Sequence, residues 1–251
     1  MSSNLLTSKK TTAKATDVHA KASPMFDALL AETQALLQRA ATEFPPLTQA
    51  SSLGAEDVVI THIINRLALD IPVFVLETGA LHTETLALLE RTQAHSRAPI
   101  QVLRPVQASV IEFVRDQGQD AIYKTIEQRK ACCAIRKMEP LARALKGQRA
   151  WITGLRQEQS TARAQVPLLD ESEVTAKNLY KFNPLAKWTW GDVWHYIATN
   201  QVDYNPLHDQ FFPSIGCAPC TRAISLGEEF RAGRWWWEDE AAKECGLHVK
   251  S

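Results

Sequence analysis

Short apolar runs alternate with helix-length stretches through the first two thirds of the chain, and this alternation limits the fold more than any other feature. Leu47 to Ser51, Val73 to Leu76, Ile100 to Leu103 and Ala150 to Thr153 read as buried strands. Ala55 to Leu69, Thr83 to Gln93, Ser109 to Asp116 and Ala131 to Lys146 read as the helices between them. Strand–helix–strand order requires crossover connections, which are right-handed almost without exception. The expected fold is therefore α/β: an open, mostly parallel sheet with helices on both faces.

The flanks are less regular. Ser23-Pro24 reads as a cap and first helical position, followed by apolar residues at helical spacing from Phe26 to Phe44 and a stop at Pro45-Pro46. Gly154 to Arg163 is polar and reads as a mobile surface loop. Tyr180 to Pro184 reads as a strand end and turn, and Thr189 to Ala198 as an amphipathic helix. No linker divides the 251 residues, so the expectation is a disordered tail over residues 1–22 and a single domain over 23–251, with a mobile C-terminal tail from about residue 226. An apolar fraction of 45% is enough for a full core. Net charge is zero, which supplies no overall attraction to nucleic acid or an anionic membrane. The chain contains no run of eighteen apolar residues, and Met1 to Ser23 lacks the apolar segment of a secretory signal. A cytoplasmic protein that binds neither nucleic acid nor membrane is expected.

In an open parallel sheet, ligands bind beyond the carboxyl ends of the strands. Two such ends are suggestive here. Ser51-Ser52-Leu53-Gly54-Ala55-Glu56-Asp57 runs from a strand into a helix, and Leu76-Glu77-Thr78-Gly79 ends the next strand. A Ser/Gly turn at a helix N-terminus offers amide donors to an anion, although a turn that only caps the helix would look the same. The first segment resembles the PP-loop of ATP pyrophosphatases, Ser-Gly-Gly-x-Asp-Ser, with Leu53 where that pattern has its first glycine. The added bulk and acidity are expected to disfavour a full pyrophosphate.

Five cysteines without an export signal argue for metal ligation or redox chemistry over disulfides. Cys132-Cys133 and Cys217-x-x-Cys220 form two close pairs that suit zinc or an iron–sulfur cluster. Adjacent cysteines diverge by about 100° on a helix, which a cluster tolerates better than a single ion. Lys137 follows Cys133 by about one helical turn, near a cluster or an anion, or simply solvated. Cys245 lies six residues from the C-terminus with His248 and the basic Arg231 and Arg234 in the same segment; it is a candidate nucleophile or an incidental thiol. Trp235-Trp236-Trp237 is a core element, an interface or a stacking platform.

Taken together the segments resemble the family of assimilatory adenylyl-sulfate and phosphoadenylyl-sulfate reductases. The matching stretches are Ser52 to Asp57, Leu76 to Gly79, Cys132 to Lys137, Thr153 to Ser160, Asn183 to Leu185, Tyr204 to His208, Pro213 to Cys220, Arg231 to Trp237 and Glu244 to His248. The resemblance implies an adenine nucleotide alpha-hydrolase-like fold of the PP-loop type. It also implies a 4Fe–4S cluster on Cys132, Cys133, Cys217 and Cys220, and adenosine 5′-phosphosulfate as substrate, since members lacking the cysteine pairs generally prefer the 3′-phosphorylated nucleotide. Cys245 would attack the sulfate sulfur to leave an S-sulfocysteine, from which thioredoxin or glutaredoxin releases sulfite, the step that leads on to cysteine biosynthesis. Ser51, Ser52, Gly54, Glu56 and Asp57 would hold the phosphosulfate, and Gly154 would also be a substrate-binding residue. Leu76, Glu77, Thr78 and Gly79 would contact the adenosine. Lys137, Arg156, Arg163, Arg231 and Arg234 would neutralise oxygens, and His248 would assist. The family usually has Asp where Glu77 stands, so the role of this side chain is open. Reduction of the 3′-phosphorylated nucleotide, or of both, is the alternative; a PP-loop sulfur-transfer enzyme and a zinc-stabilised binding module are the more distant ones. A homo-oligomer is among the expected states.

Overall fold

The computed structural model describes residues 13–238. Cys245 and His248 lie outside the described residues. In chain order the elements are α1 (Ala15–His19), α2 (Phe26–Glu43), β1 (Leu47–Ser51), α3 (Ala55–Arg66), β2 (Val73–Leu76), α4 (Thr83–His95), β3 (Ile100–Leu103) and α5 (Gln107–Gln117). There follow α6 (Ile126–Cys133), α7 (Glu139–Leu145), β4 (Ala150–Ile152), β5 (Leu169–Asp170), α8 (Val174–Lys177), β6 (Tyr180–Phe182) and α9 (Trp190–Asn200). The strands form one sheet in the order β3-β2-β1-β4-β6-β5, parallel throughout except for the β5–β6 edge.

Alternation along the strands separates two cores. Val73, Val75, Ala150 and Ile152 face Val59, Ile60, Ile63 and Ile64 of α3 and Val193, Trp194 and Ile197 of α9. Phe74, Leu103 and Trp151 face the opposite way, onto Leu141 of α7. From β1 the chain moves outward to β2 and β3, then returns to the other side of β1 for β4. Loops leaving β1 and β4 therefore diverge, which opens a crevice between their carboxyl ends.

Several boundaries differ from expectation for physical reasons. Within the stretch expected as a disordered tail, α1 packs on α9, with Ala15 buried and its amide donating to Asp209 Oδ1 at 2.7 Å. Ser23 does not cap α2; its amide donates to Asp192 Oδ1 at 2.6 Å, and the helix starts at Phe26. Cys132 and Cys133 close a helix rather than open one. Thr125 Oγ1 accepts from the Gln128 amide and starts α6 five residues earlier than read. A π turn over Ala134–Met138 separates α6 from α7. Pro140, at the start of α7, has no amide to return to the preceding turn, which favours that break in the regular ladder.

The turn after β1 also corrects the expected effect of Leu53. Its φ is +60°, the left-handed conformation that favours glycine, and its side chain is 1% exposed in the larger core. The bulk points away from the crevice, so it does not set the size of a ligand there. Two opposing effects then compete. Leu53→Ala is expected to cost about 2–5 kcal/mol from the cavity it leaves. Leu53→Gly loses the same contacts but relieves about 1 kcal/mol of left-handed strain, so it should be at least as stable as the Ala variant, reversing the usual order of these residues. Urea denaturation of both variants tests this; an Ala variant more stable than the Gly variant would contradict it.

Candidate active site

The crevice is built by two adjacent carboxylates. Asp57 Oδ2 accepts from the Ser52 amide at 2.7 Å and the Ser52 hydroxyl at 2.6 Å, folding the loop after β1 back on itself. Asp57 also takes a backbone hydrogen bond from Gly154, in the loop after β4. A Cβ on residue 154 would collide with the carboxylate of Asp57 and the Cβ of Glu56, so only glycine permits this approach. Glu56 Oε1 accepts from Arg156 Nε at 2.9 Å and from Gln159 Nε2 at 2.9 Å, a second tie between the same loops. Burial pushes the Asp57 carboxyl up to about 6, with the two Ser52 bonds opposing it and the Glu56 charge adding to it. Much of the acidity of this segment is thus offset at the N-terminus of α3, where an anion would sit.

Ser51, Ser52, Gly54, Glu56, Asp57, Leu76, Thr78, Lys137, Gly154, Arg163, Arg231 and Arg234 line one cavity in this crevice. Four are cations and two are carboxylates, so the lining favours an anion. One wall, Phe74, Leu76, Leu141 and Trp151, is apolar and suits a flat ring. Arg156 does not line it. Its guanidinium is 1% exposed, paired with Glu56 and Glu158 and bonded to the Trp188 carbonyl at 3.2 Å. Its place is to neutralise Glu56, in a segment expected as a mobile surface loop but in fact packed, with Arg163 also buried. Glu77 lies outside the lining as well; it accepts from the Gly79 amide at 2.7 Å and Arg104 Nε at 3.0 Å, closing the turn after β2. Sequence reasoning missed His208, Gln159, Phe230 and Trp235, which also line the cavity. Their segments were visible in the Tyr204 to His208 and Trp235 to Trp237 stretches, but no local pattern indicated which side chains turn inward.

A second cavity, of about 330 Å³, lies directly beside the first and is lined by Cys132, Cys133, Cys217 and Cys220. Lys137 and Trp235 stand in the walls of both. The Ala218 amide donates to Ala80 O at 2.7 Å, and Thr78 Oγ1 lies 3.2 Å from Cys217 Sγ, so the Cys-x-x-Cys loop is stitched to the end of β2. Arg136 Nη1 donates to Thr78 O at 2.6 Å from the π turn. Burial pushes the Cys220 thiol up to about 12, reinforced by negative charge at Cys217 and Cys133. Cys132 is raised by burial against the pull of Arg136. Burial also opposes ionisation of Cys217, but Lys137, the Thr78 hydroxyl, Arg234 and Arg136 outweigh it and leave this thiol below its ordinary value. Among the described residues no three His, Cys, Asp or Glu side chains converge on the point a single ion would occupy. Four cysteine sulfurs set around one cavity and flanked by cations are a soft donor set of the kind that binds zinc or an iron–sulfur group.

The segment expected as a tail is anchored at least to Glu238. Arg129, from α6, donates to both carboxylate oxygens of Glu238 at 2.9 and 2.6 Å; both side chains are buried, and the guanidinium lies 4.7 Å from the Trp235 ring centre. The helix bearing Cys132 and Cys133 thus fixes the point at which the chain leaves toward Cys245.

A family model described as the phosphoadenosine phosphosulfate reductase domain matches residues 46–223. An adenosine 5′-phosphosulfate reductase from Allochromatium vinosum is 50% identical over 213 residues, covering 85% of this chain and 82% of that one. A protein of the same name from Burkholderia cepacia is 46% identical over 226 residues, covering 90% of each. Among solved structures, a phosphoadenylyl-sulfate reductase from Candida auris, in a phosphate complex, superposes with a TM-score of 0.65 at 27% identity over 81% of this chain and 98% of that one. Yeast FAD synthetase with bound FAD superposes at 0.52 with 9% identity, over 83% and 73%, a likeness of fold alone.

Two outcomes follow from the geometry. Asp57 binds its proton more tightly folded than unfolded, so the protein is expected to lose stability as pH rises from about 4 through 6, by roughly 3 kcal/mol for a shift of this size. Asp57→Asn should lack that loss; urea denaturation of both proteins at pH 4, 5, 6 and 7 reads it, and a constant difference between them would refute it. Glu238→Gln removes a buried charge paired with Arg129 and should cost about 3 kcal/mol by the same measurement. A change below half that figure would mean the pair does not anchor the segment.

Proposed function

Because the chain belongs to the phosphoadenosine phosphosulfate reductase domain family, we propose that it reduces adenosine 5′-phosphosulfate to sulfite and AMP through a covalent intermediate on Cys245. It is an oxidoreductase acting on a sulfur group, and the relatives at 46–50% identity carry the name of the enzyme for the unphosphorylated nucleotide. The observation that carries the reading is the pairing of two cavities: an anion-favouring crevice at the carboxyl ends of β1 and β4, sharing Lys137 and Trp235 with a cavity of four cysteines.

The adenine would lie on the apolar wall of Leu76 and Trp151, with the phosphosulfate against Ser52, Gly54 and the first turn of α3. Cys245 stands seven residues past the anchored Glu238, a stretch that spans at most about 25 Å. That length supports delivery of its sulfur to the crevice. The Cys245 thiolate attacks the sulfate sulfur; the bond from sulfur to the bridging oxygen breaks, and AMP leaves with the electron pair. Lys137, Arg163, Arg231 and Arg234 stabilise the charge that gathers on the departing phosphate. His248 assists the thiolate or the substrate. A thiol of reduced thioredoxin or glutaredoxin then attacks the Cys245 sulfur and releases sulfite; a second thiol of the donor resolves the mixed disulfide. Cys132, Cys133, Cys217 and Cys220 would hold a 4Fe–4S cluster, which when bound supplies a fixed charge beside Lys137. The reading places the reaction in the cytoplasm, within sulfate assimilation toward cysteine.

Paired kinetics on the purified enzyme, with the 3′-hydroxyl and 3′-phosphorylated nucleotides, are expected to favour the former in kcat/KM; a preference for the latter would select the alternative substrate. Cys245→Ser should reduce sulfite formation by about a thousandfold or more while the protein still binds nucleotide. Intact-mass analysis of the wild type, given substrate without a thiol donor, should show one added sulfonate group that Cys245→Ser lacks. Cys220→Ser should lose bound iron and visible absorbance. Wild-type protein that purifies with zinc in place of iron would remove the cluster from this reading.

A further inference from the structure

Phe230 has no part in the reaction just described, yet it lines the same cavity and stands next in the chain to Arg231. The stretch leading up to it lies at the surface. Leu226 is 97% exposed, and Gly227 and Glu229 are exposed as well. Glu228 accepts from the Ser225 amide at 2.6 Å and from Arg222 Nη2 at 2.6 Å, bonds that close this loop on its own neighbours. What carries the segment across to the loop after β4 therefore matters for where Arg231 stands.

The Phe230 ring supplies a tie. Arg156 Cζ lies 5.8 Å from its centre and 5.3 Å from the centre of the Trp190 ring. Both distances are within the range of cation–π attraction. The two rings also meet edge to face, at 4.9 Å and 86°. Arg156 itself has no freedom to move. Its Nε donates to Glu56, and its Nη1 donates to Glu158 and to the Trp188 carbonyl. A planar guanidinium bonded along its edge still offers its faces to aromatic rings. Glu158 accepts from the Trp190 amide at 2.8 Å as well, which fixes the start of α9 beside the same cation.

The backbone passes this tie on to Arg231. The Ala232 amide donates to Glu229 O at 2.9 Å, which makes Phe230 and Arg231 the central residues of one tight turn. Their Cα atoms are about 3.8 Å apart, so a ring held at the first limits where the second can point. The Arg234 amide donates to Arg231 O at 2.9 Å and extends the same placement to the next cation of the lining. An arginine on an unheld surface turn loses conformational freedom when it meets an anion, and holding its backbone beforehand removes part of that cost. A continuous set of contacts thus runs from Glu56, in the first turn of α3, through Arg156 and Phe230 to Arg231.

We propose that Phe230 is a positioning residue: packed on Arg156 and Trp190, it holds the turn that presents Arg231 to the bound phosphosulfate group. The proposal rests on the sulfonucleotide reading given above. It makes the Arg156–Glu56 pair a support for two walls of the crevice, the loop after β4 and the segment that leads on toward Cys245.

Binding is measured by calorimetry in the Cys245→Ser background, which prevents turnover, with adenosine 5′-phosphosulfate and with adenosine. Phe230→Leu keeps most of the apolar bulk and removes the ring face. It is expected to weaken the sulfonucleotide about fivefold and adenosine less than about twofold. Phe230→Tyr keeps the ring and should restore sulfonucleotide binding to within about twofold of the parent. The comparison with Arg231→Ala separates positioning from general packing. Once Arg231 is gone, adding Phe230→Leu should weaken the sulfonucleotide by less than about twofold more, because residues that act through one another are not additive. Losses that multiply in the double variant overturn the proposal, as does an Arg231→Ala variant that binds as tightly as the parent. A Leu variant within twofold of the parent, a Tyr variant as weak as the Leu variant, or a Leu variant that loses both ligands in equal proportion also overturns it. A parent that binds no sulfonucleotide at all refutes the functional reading before any variant is compared.

Discussion

The pairing of Glu56 and Asp57 with the loop after β4 is the constraint from which the site takes its shape. One carboxylate grips Ser52 and the Gly154 amide, and the other grips Arg156 and Gln159. The sheet brings the two strand ends side by side, but parallel strands diverge beyond their last hydrogen bond. These side chains hold the loops at a defined separation, close enough that only glycine fits at residue 154. They also solve an electrostatic problem. Two acidic residues in the first turn of α3 stabilise the helix dipole but would repel an anionic ligand. Arg156 compensates one, and burial keeps the other partly protonated near neutral pH.

A second set of ties joins the crevice to the cysteines. The π turn carries Arg136 onto the Thr78 carbonyl and Lys137 into the wall between the two cavities. Thr78 in turn contacts Cys217. Through these few residues the end of β2, the end of α6 and the Cys-x-x-Cys loop become one unit. Trp235, packed between Arg129 and Arg234, closes the shared wall from the C-terminal side. The triple tryptophan thus divides its work: Trp235 is interior, while Trp236 remains partly exposed beside Tyr123.

Much of this was legible in the chain. The parallel α/β plan follows from the alternation of periods, and β1, β2 and β3 fall on the residues the apolar runs marked. The Ser52 to Asp57 segment and the two cysteine pairs stood out because their residue types are uncommon in those spacings. Other features were hidden for identifiable reasons. The start of α6 depends on a threonine cap in a polar stretch without apolar periodicity. Arg156 looks like a surface cation until a partner a hundred residues away is placed against it. Leu53 looks like an obstacle in a glycine position, and only the backbone shows that its side chain turns into the core.

The sequence alone determined the alternating strands and helices of the sheet and which side chains are candidates for chemistry, because periodicity and cysteine spacing are local and each leaves its mark within a few residues. It determined the family likewise, through many short segments taken together. Tertiary structure decided which of those side chains meet. That Arg156 neutralises Glu56, that Glu77 closes a turn and that Lys137 stands in two walls are all consequences of strand order and long-range packing. Residue types of this kind serve equally well on a surface or in a site, and only the energy of burying them with a partner, or without one, distinguishes the two.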